Sequence, residues 1–153
     1  MDLNERQKVC QWIQEQANQL LLPRPRCIAI FGSFASGALR ETSDIDILLI
    51  GDSIPRSPYE RSQWFLPFNQ AWRRQRPHPQ APQSCSPLMT SEAGWLGSLG
   101  LRLSLSENCW ILMDDGFLSD SLREAREWIH QGLWHKRLLS KGGWMWIPRD
   151  EVA

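Results

Sequence analysis

The sequence predicts an α/β fold, mixed α+β in layout, with one mixed β-sheet flanked by helices. Three observations carry that expectation. Two short aliphatic runs, Cys27–Phe31 and Ile45–Ile50, are bounded by turn residues and read as buried strands. Before and after them lie stretches whose apolar residues recur at three- and four-residue steps, the period of a helix with one buried face. A length of 153 residues closes one substantial core and leaves little for a second, so a single domain over 1–153 is expected, its signature at 28–50.

The elements follow in order. Residues 4–22 read as a helix with Val9, Ile13, Ala17 and Leu20 on its apolar stripe, ended by Pro23 and Pro25. After the 27–31 strand comes Phe31-Gly32-Ser33-Phe34-Ala35-Ser36-Gly37. There a glycine lets the backbone approach a ligand, and Ser33 offers a hydroxyl and an N–H at the start of a short helix, where an anion is favoured. The 45–50 strand opens on Asp44 and Asp46, two positions apart and hence on one face. Ser57, Pro58 and Glu60 mark a helix start by cap, first-position proline and capping box. Trp64, Phe65, Phe68 and Trp72 supply its core stripe, and Pro67 is expected to kink or split it.

Residues 73–83 shift to Arg, Pro and Gln, with prolines at 77, 79 and 82, and read as an extended connection. Leu88-Met89 belongs to a third strand, and Thr90-Ser91-Glu92 caps a short helix toward Leu99. Leu101, Leu103 and Leu105 alternate with Arg102, Ser104 and Ser106, which predicts a strand with one wet face. Trp110-Ile111-Leu112-Met113 is another strand and Asp114-Asp115-Gly116 a turn. A longer helix is expected from about Ser121, with Ser121 and Glu124 as capping box and Leu122, Ala125, Trp128, Ile129 and Leu133 on one side. Trp144-Met145-Trp146-Ile147, entered through Gly142-Gly143, reads as an edge strand before Pro148.

Formal net charge is zero, which argues against bulk capture of nucleic acid or of an acidic membrane. The amino terminus lacks a signal-peptide pattern and no apolar run approaches membrane-spanning length. Cys10, Cys27, Cys85 and Cys109 are scattered without a Cys-x-x-Cys pair, which suits buried thiols in a reducing cytoplasm. His78, His130 and His135 show no metal-ligand spacing.

The chemistry concentrates in Gly32-Ser33, ten residues, then Asp44-Ile45-Asp46. Two hard carboxylate ligands facing a phosphate-binding turn suit Mg²⁺ carrying a nucleoside triphosphate. The segment resembles the nucleotidyltransferase superfamily related to DNA polymerase β, whose signature is Gly-Ser, a spacer of this size, and Asp-x-Asp at the head of a strand. Gly37 falls on a glycine common in its turn, and Ser43 on the small polar residue before the first aspartate. The later segments resemble the layout of small stand-alone members. The resemblance implies the nucleotidyltransferase fold, with Asp44 and Asp46 as catalytic residues holding Mg²⁺ (or Mn²⁺) and Gly32 and Ser33 seating the β and γ phosphates. The implied reaction transfers a nucleoside monophosphate, from ATP first of all, to a hydroxyl of a protein or small molecule. Several such proteins pair with a small helical partner, often a HEPN-type ribonuclease toxin, and serve as antitoxins.

One departure stands out. Active members usually carry a third acidic residue on a later strand, and at the matching place this chain has Ser84-Cys85-Ser86-Pro87, with Cys85 or Ser86 in the slot depending on register. Neutral groups are poor ligands for a hard cation. Glu60, Glu92, Asp114 and Asp115 are the candidate replacements. A second function class therefore stands beside the enzyme: a nucleotide-binding or protein-interaction module that acts by binding a helical partner. Among the nine tryptophans, Trp144 and Trp146 share one strand face near the carboxyl end, as core residues or as an aromatic interface pair.

Overall fold

A computed structural model describes residues 1–151 of the chain. Helix α1 (Leu3–Leu20) starts at a capping box in which Asp2 accepts the Glu5 N–H and Glu5 accepts the Asp2 N–H, and it buries Val9, Cys10, Ile13 and Ala17. Strand β1 (Cys27–Phe31) leads into the one-turn helix α2 (Gly32–Ser36), and β2 (Ile45–Ile50) returns antiparallel to β1.

Helix α3 (Pro58–Gln75) begins at Ser57 as expected and continues through Pro67 as one helix. Pro67 and Gln63, whose carbonyl the proline leaves without a partner, both face solvent, while Trp64, Phe65, Phe68 and Trp72 on the other side are buried. The break thus lies where solvent can reach it, and packing of the buried side holds the axis. The proline-rich connection starts only after Gln75, and Trp72 ties it down by donating its indole N–H to the Pro82 carbonyl at 3.2 Å.

Strand β3 (Cys85–Thr90) lies parallel to β2. Helices α4 (Glu92–Gly97) and α5 (Leu99–Glu107) follow, then β4 (Trp110–Met113), antiparallel to β1. The wet-faced strand expected over 101–106 is thus a helix. Its alternation was built from Leu, Arg and Ser, with no β-branched residue, and Leu and Arg are good helix formers. As a helix it buries Leu103 and Leu105 and brings Arg102 to Glu124, 3.3 Å away.

Helix α6 (Phe117–His130) starts before the expected Ser121. Asp114 takes the N–H groups of Leu118 and Ser119, both at 2.9 Å, while the Ser121 hydroxyl is used inside the core, donating to the Leu118 carbonyl and accepting from Trp95. Leu133 falls beyond the helix end. Strand β5 (Trp134–Leu138), which the sequence did not suggest, pairs antiparallel with β6 (Trp144–Pro148), and a 3₁₀ turn, Arg149–Glu151, follows. The turn glycines Gly142 and Gly143, at φ +88° and +82°, close this hairpin.

The main sheet has the order β3-β2-β1-β4, and β5-β6 forms a separate ribbon. One face of the sheet packs Ile28, Ile30, Ile45, Ile47 and Leu49 against α1, α2 and α3. The other packs Cys27, Ala29, Leu48 and Ile50 against Trp95, Leu105, Leu118 and Leu122 of α4, α5 and α6. The mixed sheet flanked by helices is as expected. In the ribbon, the Trp144 and Trp146 rings meet edge-on at 5.5 Å with the Lys136 ammonium over both, and Trp146 donates to Ser104 of α5 at 3.1 Å. Trp146 therefore docks the ribbon to the domain, while Trp144 stays 40% exposed. Among the described residues, no helix is long and apolar enough to cross a membrane.

Candidate functional site

The β1–α2 turn and the head of β2 meet at one end of the sheet. Antiparallel pairing sets Phe31 opposite Asp46, so the residue after Phe31, Gly32, lies against the Asp46 carboxylate. A Cβ on Gly32 would collide with Asp46 Oδ2, and the backbone there has φ +69°, so both space and conformation call for glycine. Gly37, at φ +81°, ends α2 one turn later with its N–H on the Ser33 carbonyl. Downstream, Arg40 donates its N–H to Ser43 Oγ and Ser43 returns its own to the Arg40 carbonyl, a turn that delivers the chain to Asp44.

Asp44 is exposed and Asp46 half-buried, while Ile45 between them is fully buried on the opposite face. Burial first, and then the negative charge of Asp44, pushes the Asp46 carboxyl above its ordinary range. Two neighbouring carboxylates beside the turn that Gly32 opens form a hard oxygen donor set that a divalent cation would stabilise. Gly32, Asp44 and Asp46 thus come together, and Ser33 follows Gly32 in the first turn of α2.

The β2–β3 register settles which residue sits beside the pair. Asp46 is matched with Ser86, and Ile45 with Cys85. Partners across a ladder share a face, so Ser86 stands exposed beside Asp46, at the end of the face that α4, α5 and α6 cover further along, and Cys85 points into the core beside α3. Burial, then the Asp44 charge, raises the Cys85 thiol far above its usual range. Of the two residues that the sequence left open, Ser86 is therefore the one that shares a face with Asp46.

None of the four candidate acids replaces the missing carboxylate. Arg26, whose N–H binds the Ile50 carbonyl at the far end of β2, holds Glu92 and Asp115 by ion pairs. Asp114 caps α6 at that same end, and Glu60 lies in the first turn of α3, which the chain enters after leaving β2 at Ile50. Cys27, Asp114 and Asp115 bring their ligand atoms within 4.8 Å of one another there. That cluster is structural: Asp114 is committed to helix N–H groups and Asp115 to Arg26, and burial followed by the Asp114 hydrogen bond pushes the Cys27 thiol up to about 12.

Sequence reading missed Ser84. Its carbonyl takes the Ile45 N–H at 3.1 Å, and its hydroxyl donates to Asp44 Oδ1. Its alternation with Ser86 was visible, but only the parallel register places both serines on the aspartate face.

Residues 12–70 match the family described as "Polymerase beta, Nucleotidyltransferase". No curated protein sequence matches. Among solved structures, one similar in fold is a toxin-antitoxin crystal structure with AMP-PNP, at TM-score 0.52 and 16% identity, over 78% of this chain and 88% of that one. A second is the toxin-antitoxin MntA-HpeT mutant, in which two aspartates two positions apart are changed to glutamate. It has TM-score 0.51 and 13% identity over 81% of this chain and 88% of its own.

Proposed function

We propose that this chain, whose residues 12–70 match the polymerase β nucleotidyltransferase family, transfers a nucleoside monophosphate from a nucleoside triphosphate, ATP first of all, to a hydroxyl group. The observation that carries this reading is the convergence of Gly32, Asp44 and Asp46, with the Asp46 carboxylate laid against a positive-φ glycine. Asp44 and Asp46 would hold Mg²⁺ or Mn²⁺, which when bound neutralises phosphate charge and polarises the α-phosphoryl group. Gly32 and Ser33 seat the β and γ phosphates, the acceptor hydroxyl attacks the α phosphorus, and pyrophosphate leaves. Positioning and charge neutralisation supply most of the catalysis in such transfers.

Within this reading the acceptor belongs to a protein or small molecule, and a small helical toxin of the HEPN type is the partner of choice, with the chain as its antitoxin. Support comes from the two structural neighbours, both toxin-antitoxin assemblies, one of them holding AMP-PNP. The paired aspartate substitutions in the second have the spacing of Asp44 and Asp46. The four free cysteines among the described residues fit a reducing cytoplasm.

A second reading rests on Ser86. With a neutral hydroxyl where an acid is expected, the chain would bind nucleotide and a helical partner with little or no turnover. Incubation with α-labelled ATP and copurifying proteins tests the proposal. Label on a partner or on a small hydroxyl compound supports transfer; nucleotide binding without any transferred label supports the binding module.

A further inference from the structure

The site already contains a hydroxyl bonded to one of its two carboxylates. Ser84, immediately before β3, is exposed, and its Oγ donates to Asp44 Oδ1; among the described residues it is the one hydroxyl bonded to either aspartate. The Ile45 N–H on the Ser84 carbonyl fixes the backbone that carries it, so the hydroxyl is held by the sheet itself rather than by a mobile loop. A serine hydroxyl bonded to a carboxylate, beside a site built for an electrophilic phosphorus, is the arrangement of an activated nucleophile. Where an acid is expected on this strand, the chain offers acceptors.

We propose that the chain nucleotidylylates itself on Ser84, with a nucleoside triphosphate as co-substrate. This rests on the reading of Asp44 and Asp46 as the nucleotide site. In the step, a bond forms between Ser84 Oγ and the α phosphorus, and the bond from that phosphorus to the α–β bridging oxygen breaks. Pyrophosphate leaves with the electron pair, and the hydroxyl proton departs along the hydrogen bond to Asp44 and on to water. The product is a phosphodiester between Ser84 and the nucleoside. Its anion stands against two carboxylates and its bulk fills the site, so modification ends after one nucleotide per chain and closes the site to a second triphosphate.

The test incubates the purified full chain with Mg²⁺-ATP and follows it by intact mass and peptide fragmentation. Calorimetry with Mg²⁺ and α,β-methylene-ATP, whose α–β bridge does not break, measures binding apart from transfer. Expected are binding of the analogue, a gain of one nucleoside monophosphate per chain mapped to Ser84, loss of that gain in Ser84→Ala, and its retention in Ser84→Thr. A thermal melt of Ser84→Ala matching the parent excludes misfolding as the cause of the loss. Binding without any mass gain would overturn self-modification while leaving the nucleotide site standing. A gain mapped to Ser86 or another residue, or one that persists in Ser84→Ala, would overturn the assignment to Ser84. Absence of analogue binding would overturn the nucleotide-site reading and the inference with it.

Discussion

Asp46 and Ser86 are direct partners across the parallel β2–β3 ladder, side by side at the solvent-accessible end of one sheet face. Their pairing makes Ser86 the position from which a third carboxylate would complete the site. Ser86→Asp should tighten Mg²⁺-dependent nucleotide binding and raise transfer to an added acceptor by on the order of a hundredfold, the usual gain from a positioned base. Cys85→Asp, which places its charge in the core beside α3, should instead lower the melting temperature sharply without a gain in rate. Parallel rate and melting measurements on the two variants separate the faces of β3.

Gly32→Ala tests the contact between the turn and Asp46. The backbone at φ +69° costs an L-residue about 1–2 kcal/mol, and the added methyl must displace the Asp46 carboxylate. Denaturant unfolding should report at least that loss, with nucleotide binding falling in parallel. Unchanged binding would separate Gly32 from the site.

Much of this arrangement was legible in the sequence because it is local. The Gly32-Ser33 turn, the Asp44 and Asp46 pair and the two strands joining them are set by period-2 alternation and turn chemistry within about twenty residues. What was not legible depends on distant contacts. The fate of 101–106 turned on whether Leu103 and Leu105 met α6 or another strand, and the choice between Cys85 and Ser86 turned on a parallel register that no hairpin fixes. The start of α6 was misplaced because Asp114 reads as a turn residue until its carboxylate is seen on the Leu118 and Ser119 N–H groups. Strand β5, polar at Lys136 and Arg137, carries no core signal of its own and forms because β6 pairs with it.

The two ribbon tryptophans should behave differently. Trp146→Ser removes the hydrogen bond to Ser104 and the contact that docks the ribbon, so the melting temperature should fall. Trp144→Ser, at an exposed ring, should leave stability nearly unchanged and lower only association with a partner, if that ring serves one. Melting curves of the two single variants, with partner or self-association measured alongside, distinguish a core role from an interface role.

Asp114 gives stability a defined acid limb. Burial would raise its carboxyl, but the Ser119 and Leu118 N–H groups outweigh it and hold the group at about 2, below its ordinary 3.8. The folded state thus binds this proton less readily than the unfolded state. Its contribution is complete above the unfolded value and disappears as pH falls through the folded one. Asp114→Ala should cost about 1–2 kcal/mol at neutral pH, as for loss of a helix cap. The gap between the parent and this variant should narrow from about pH 4 downward to pH 2. Denaturant titrations at several pH values read that gap, and one that stayed constant to pH 2 would remove the ionised carboxylate from the account.

The central claim is that Asp44 and Asp46 hold a divalent cation for a nucleoside triphosphate, and calorimetric titration of Mg²⁺-ATP into the parent and the Asp44→Asn, Asp46→Asn double variant tests it most directly. Amide side chains keep the shape and the turn but remove both charges that the cation would neutralise. The account predicts Mg²⁺-dependent binding in the parent and none in the double variant, with both chains melting as folded domains. Equal binding in the two would contradict it.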